Sequence, residues 1–331
     1  MDHCLPGYKH PYRRPTDFQS HPELEIKTEY NPSQHKEIVR IKQQQDFKKT
    51  PLFKLPMYID IYANGIAERK KITVTQAEET FEFDELQKPE LINVDAEKQL
   101  LCSKIEHKSA AEWRYQYAQC PLYLDRAEAL HGLKEQPDSL SIESFISALD
   151  DKYWGLRREA IYALEDVKVK SQRERVKQKM IALAQNDDKA RVRAEALDYL
   201  SLKYTDQDLL DLYRNALNDR AYSVVSGGIA ALAKVNPQEG MKIAKRYENE
   251  KSMDILYSLL SLYSQHGTDE NNNFFIQTKD RYKGFSKIGF VQQYTLYLKD
   301  SSRSDNVVNS GAEILADIAN DTDGIKWITA Y

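Results

Sequence analysis

The sequence is short of the residues that build many familiar sites. Its three cysteines, Cys4, Cys102 and Cys120, are too few and odd in number for a disulfide framework, and none lies in a C-x-x-C. Reducing and oxidising compartments both stay open. Its seven histidines, at positions 3, 10, 21, 35, 107, 131 and 266, never fall four apart, which excludes an H-E-x-x-H zinc helix. There is no G-x-S-x-G elbow, no phosphate loop and no G-x-G-x-x-G. No apolar run approaches the ~20 residues that cross a bilayer. The first twenty residues hold His3, Cys4, Lys9, His10, Arg13, Arg14 and three prolines, without the apolar centre of a signal peptide. Residues 1–20 are expected to be a loose leader, or what remains of a segment cut mid-domain, and the chain as it stands reads as cytoplasmic. A net charge of −4 gives no field to draw nucleic acid or anionic lipid, so neither a nucleic acid nor a membrane is an expected partner.

What is present is periodicity. Leu156–Leu164, Val192–Leu200 and Val224–Leu232 carry one pattern, with apolar or small residues at i, i+4, i+5 and i+8. That is a single stripe on a helix. The copies begin 36 and then 32 residues apart (Leu156, Val192, Val224), room for one further helix between them. Such units cannot bury their faces alone and therefore stack. A mean hydropathy of −0.67 beside 41% apolar residues suits a thin, surface-rich array. Asp151, Asp188 and Asp219 precede the copies and are expected to cap them.

Before the helices the period is two. Leu24, Ile26, Thr28 and Tyr30 alternate, as do Leu55, Met57, Ile59 and Ile61. Asn64-Gly65 predicts a type I′ hairpin, because both central residues need φ > 0. Further strands are expected around Val39 and Ile41, 71–75, Phe81 and Phe83, 91–94 and 100–105. Seven short strands of this kind make a β-sandwich of immunoglobulin-like size. Pro51 and Pro56 belong at an edge or bulge. The chain is thus multi-domain, β then α. Residues 21–106 form the immunoglobulin-like β-sandwich, 107–138 a helical lead-in, and 139–331 a HEAT-like α-helical repeat solenoid. A polar loop is expected over 266–273, and Trp327 at the open end of the array.

Candidate chemistry is sparse. His3, Cys4 and His10 lack a fourth ligand. Cys102 and His107 flank a strand end and are read as a structural pair rather than a dyad. Lys168, Lys170, Arg173, Arg175, Lys177 and Lys179 form the one basic cluster, read as a solvated face. Asp151 with Arg157, and Asp188 with Arg193, suit ties between repeats better than an anion site. Gly227-Gly228 lies inside a helix, where it lets a neighbouring helix approach.

Four stretches and the repeats carry a resemblance. Pro51-Leu52-Phe53-Lys54-Leu55-Pro56-Met57-Tyr58-Ile59-Asp60-Ile61-Tyr62, Thr80-Phe81-Glu82-Phe83 and Lys88-Pro89 to Asn93-Val94-Asp95-Ala96 resemble the post-catalytic β-sandwich of aminopeptidase N-type zinc metallopeptidases. Gln116-Tyr117 with Cys120-Pro121-Leu122-Tyr123-Leu124-Asp125-Arg126 resembles the join that follows it, and the repeats resemble the family's HEAT-like C-terminal domain. In that family the zinc helix, the substrate-amine strand and the catalytic tyrosine precede the sandwich. None has a counterpart here, so the resemblance carries over no catalytic, metal or substrate-binding residue and no cofactor; zinc would belong to the absent catalytic domain. It implies a non-enzymatic piece whose partner is a thermolysin-like catalytic domain, in cis or in trans, or a peptide or protein ligand, and which closes over the peptide cleft. The alternatives are a stand-alone HEAT-repeat interaction scaffold, and an independent enzyme for which only His3 and Cys4 speak.

Overall fold

The computed structural model describes residues 21–135, 137, 140–204 and 207–320. The leader, with His3, Cys4 and His10, and the proposed cap Trp327 lie outside these residues. Two compact units divide between Ser144 and Phe145.

In the first unit, alternating sequence becomes two sheets. Strands β1 (Glu23–Asn31), β2 (Lys36–Gln43), β5 (Glu78–Asp84) and β7 (Ser103–Glu106) form one sheet in the order β5-β2-β1-β7. Strands β3 (Leu55–Ala63), β4 (Ile66–Val74) and β6 (Leu91–Val94) form the other in the order β4-β3-β6. Leu24, Ile26, Val39 and Ile41 from one sheet meet Met57, Ile59, Ile72 and Val94 from the other in a single apolar core. This is the expected sandwich. Asn64 and Gly65 have φ of 55° and 74°, as the hairpin turn requires, and Ala63 pairs with Ile66 across it. Strand β7 begins three residues later than expected and runs parallel to β1, with Leu24 opposite Lys104. Pro56 lies in the central strand β3, yet β6 covers only Ile59–Tyr62 of that strand. Its missing N–H therefore faces an open flank, a local edge.

Helices α1 (Ala110–Gln119) and α2 (Tyr123–Glu135) belong to this unit. Ser109 opens α1 with a capping box: its hydroxyl accepts from the Glu112 N–H, and the Glu112 carboxylate accepts from the Ser109 N–H at 2.8 Å.

The division falls inside α3 (Ser141–Ala148). Beyond it run α4 (Trp154–Ala163), α5 (Lys170–Asn186), α6 (Ala190–Lys203), α7 (Leu210–Ala216), α8 (Tyr222–Val235), α9 (Pro237–Ala244), α10 (Met253–His266), α11 (Asn272–Thr278), α12 (Phe285–Leu298) and α13 (Asp305–Asn320). The expected stripe is the buried one: Leu156, Ala160, Ile161 and Leu164, with their counterparts on α6 and α8, are all inaccessible. Helices α4, α6, α8, α10 and α12 stack side by side as one layer; α5 packs behind α6, α7 behind α8, and α9 behind α8 and α10. Asn236 caps α9 by accepting from the Glu239 N–H, with Pro237 in the first turn.

Two expectations need correction. The stretch 266–273 is not a loop: Thr268 and Asn271 cap a 3-10 turn at Asp269–Asn271 that runs directly into α11. Its polar residues are capping residues, and the apolar face that follows begins only at Phe274. Lys177 is not on a solvated face, because it is buried against the Tyr204 ring, 5.5 Å from its centroid, and pairs with Asp208.

Candidate functional site

Cys102 and His107 sit at opposite ends of β7. Cys102 packs on the sandwich core, where burial pushes its thiol up to about 11. The His107 ring meets Glu25 at 2.9 Å. The structure assigns them no common site. The basic run is divided as well: Lys179 pairs with Asp150, Lys177 is buried, and Lys168 and Lys170 point to solvent. Among the described residues, no group of three or more His, Cys, Asp or Glu side chains stands in a metal-holding arrangement.

The Asp/Arg residues form a ladder, in a register one residue from that expected. The equivalent aspartates are Asp151, Asp187 and Asp219, not Asp188. Each accepts the N–H two residues on, from Tyr153, Lys189 and Ala221, at 2.9, 2.8 and 2.8 Å. These side chains shape the turn before the helix, so the residues at the cap itself carry no side-chain bond. Arg157 grips Asp187 with two bonds of 2.6 and 2.7 Å and donates to the Asp151 carbonyl at 2.8 Å. Arg193 repeats this one unit on, with Asp219 at 2.9 and 2.8 Å and the Asp187 carbonyl at 2.8 Å. Asp188 adds a bond to Arg157. In the third copy the position is Val225, and the ladder ends. Forked arginine pairs of this kind fix geometry as well as charge.

The densest polar cluster is one the sequence reading left unassigned. Asp125 of α2 is 1% exposed and meets Lys98, whose side chain is 4% exposed, at 3.0 Å. Asn93 of β6 donates to Asp125 at 2.9 Å and accepts from Lys98 at 3.1 Å. Lys98 also reaches Glu128 at 2.7 Å, which Lys104 meets at 2.8 Å. Lys104 and Lys108 share Glu106, and Lys108 donates to Gln116 of α1 at 2.7 Å. Gln116 in turn donates to the Asp125 carbonyl at 2.8 Å. Burial pushes the Glu106 carboxyl up, but Lys108, Lys104 and Lys98 together outweigh it and hold it below the ordinary carboxylate range. Burial draws the Lys108 ammonium down. Cys120 lies beside Tyr62 and Asn93, its thiol pushed up to about 11 by burial, so it is no ready nucleophile. Three lysines and three carboxylates thus neutralise one another between sheet and helices. Their arrangement holds α1 and α2 in place. The only sign of it in sequence was the polar lettering of the motifs at 93–96 and 116–126.

The α4–α12 layer carries exposed aromatic side chains. Trp154 and Tyr222 are 42% and 54% exposed, and Tyr162 and Tyr257 also reach solvent. Arg158 lies 5.7 Å from the Trp154 ring, and its Nε donates to both carboxylate oxygens of Glu195 on α6, at 2.9 and 2.8 Å. Aromatic side chains of this kind give large contact area at low entropic cost.

A family described as HEAT repeats matches residues 111–201. No curated protein sequence matches the chain. Among solved structures, aminopeptidase A of Legionella pneumophila, in complex with aspartic acid, is similar over 92% of this chain and 43% of its own, with 16% identity and a TM-score of 0.50. The chain therefore spans less than half the length of that structure, and the likeness is one of fold. The complex of CpcE and CpcF of phycocyanin lyase from Nostoc is similar over 63% of this chain and 83% of its own, with 14% identity and a TM-score of 0.40.

Proposed function

We propose that this chain is a non-catalytic region of an aminopeptidase N-type zinc aminopeptidase, which braces a thermolysin-like catalytic domain and closes over its peptide cleft. The observation that carries the reading is the buried charge network. Asn93, Gln116 and Asp125, from the motifs that resemble the family, are the residues that lock sheet to helices. That the resemblance coincides with a costly buried arrangement supports the reading, since isolated buried charges are strongly disfavoured. The fold likeness to the Legionella aminopeptidase, over 92% of the chain, supports the same reading. Its partner is the catalytic domain, and zinc would be held there, not by these residues.

The test is reconstitution. The full chain is mixed with a separately produced thermolysin-like catalytic domain, and association is followed by size-exclusion chromatography and aminoacyl-anilide hydrolysis. The chain alone is expected to give no turnover, and the mixture to form a complex with raised activity. Turnover by the chain alone that survives repurification and is lost with chelator would overturn the proposal. A second reading, a stand-alone interaction scaffold, is favoured by the HEAT match at 111–201 and by the exposed aromatics of α4, α8 and α10. It gains if the two pieces do not associate.

A further inference from the structure

Helices α7 and α9 both pack on α8 and leave a groove of about 670 Å³ between them, within the range of peptide- and ligand-sized clefts. Leu217, Ile243 and Tyr247 give it an apolar floor, and the Tyr247 hydroxyl donates to the Leu217 carbonyl at 3.4 Å. The rim is charged. Arg214 is already committed, with Glu239 at 2.7 and 2.8 Å and Asp211 at 2.8 Å. Lys242 and Arg246 are not: among the described residues neither meets a carboxylate within ion-pair distance. They stand four residues apart, about one helical turn, and both line the groove. Lys242 lies near enough to Glu239 to help Arg214 hold that carboxyl below its ordinary range, without pairing with it. Elsewhere in this unit the arginines that line helix junctions, Arg157, Arg158 and Arg193, are all satisfied internally. Two exposed cations beside an apolar floor therefore give the groove a positive, solvent-facing edge.

We propose that this groove binds an acidic peptide segment, with successive carboxylates on Lys242 and Arg246 and an apolar side chain on Leu217, Ile243 and Tyr247. A nucleic acid fits worse. Phosphate-backbone binding needs a run of cations along its track, whereas Glu239 and Asp211 interrupt this rim in a chain of net charge −4. The binding is separate from any docking to a catalytic domain, so failure of either experiment leaves the other standing.

The probe is a fluorescein-labelled hexaglutamate peptide, titrated with the full chain at low ionic strength and followed by anisotropy. Saturable binding is expected. Lys242→Gln with Arg246→Gln should weaken it at least about tenfold, the loss of roughly one charge-assisted contact or more. Lys242→Glu with Arg246→Glu should abolish it and instead take up hexalysine, which a misfolded chain would not do. Lys168→Gln with Lys170→Gln, on the exposed basic run, should leave binding unchanged. Absence of binding by the native chain, equal binding by the Gln variant, or an oligonucleotide of equal length that displaces the peptide and is itself lost with these two cations would each overturn the proposal.

Discussion

At the scale of the residue, the cost of burying charge decides which positions cannot change. Asp125 is enclosed with Lys98, Asn93 and the Gln116 amide around it. Asp125→Ala leaves the Lys98 ammonium, whose side chain is only 4% exposed, short of a partner. A loss of about 3–5 kcal/mol is expected, read as a lowered midpoint in urea unfolding. Glu37 poses the opposite case. It ends the core-facing row of β2 at 3% exposure, and among the described residues it has no cation within ion-pair distance. Burial pushes its carboxyl up to about 7, against a weaker pull from Lys88 and with added push from Glu112, Glu85 and Glu29. An acid with a raised pKa binds more protons folded than unfolded between its ordinary 4.5 and about 7. Its contribution to stability is therefore present below that window and lost as pH rises through it. The loss is on the order of 3 kcal/mol. Glu37→Gln should flatten this part of the stability–pH curve, measured by denaturant unfolding between pH 4.5 and 8, while other carboxylates still govern the acid side.

At the scale of the element, each repeat is a helix whose stripe is set by size as much as by polarity. Gly227 and Gly228 are adjacent but not equivalent. A Cβ on Gly228 would lie 3.0 Å from both the Ala216 Cβ and the Tyr213 carbonyl of α7, so the helices touch there. On Gly227 the nearest atom, the Ala194 carbonyl oxygen, is 3.5 Å away, an ordinary contact. Gly228→Ala should therefore destabilise by about 1–3 kcal/mol through overpacking. Gly227→Ala should be neutral or stabilise by up to about 1 kcal/mol through helix propensity. Thermal unfolding of the two variants side by side separates these outcomes. Between elements, tyrosine hydroxyls reach back to carbonyls of earlier helices and turns: Tyr199 to Leu164 at 2.9 Å, Tyr204 to Arg173 at 3.0 Å and Tyr297 to Thr268 at 2.7 Å. Together with the Arg157 and Arg193 forks they tie neighbouring helices to one another, the nearest-neighbour coupling on which a stacked array depends.

At the scale of the whole molecule, the two units are built on different principles. The first closes a sandwich core and then spends three lysines and three carboxylates on fixing two helices to it. The second is a stack with local contacts only. The helices α1 and α2, which by sequence read as a lead-in to the array and fall within the HEAT match, are grouped with the sheets. A piece spanning 21–135 should accordingly fold alone and unfold cooperatively. A piece ending at Glu106 should be at least about 3 kcal/mol less stable, because Lys98 and Lys104 lose the partners that Asp125 and Glu128 supply. Circular dichroism melts of the two pieces provide the check.

Local pattern was enough to specify the two-residue period of the strands, the Asn64-Gly65 turn and the three repeat stripes. Each depends on a period or on a φ requirement contained within a few residues. The aspartate register, the capped 3-10 turn at 269–271 and the burial of Lys177 were decided by which turn or neighbour a polar side chain finally met. The same holds for the groove cations Lys242 and Arg246, whose lack of partners is a property of packing and not of spacing. The charge network marks the limit most clearly. Lys98, Lys104, Glu106, Lys108, Asp125 and Glu128 look in sequence like ordinary surface charges. Only the closing of helices onto a sheet encloses most of them together, with Glu128 left partly exposed, and only then does each depend on the others.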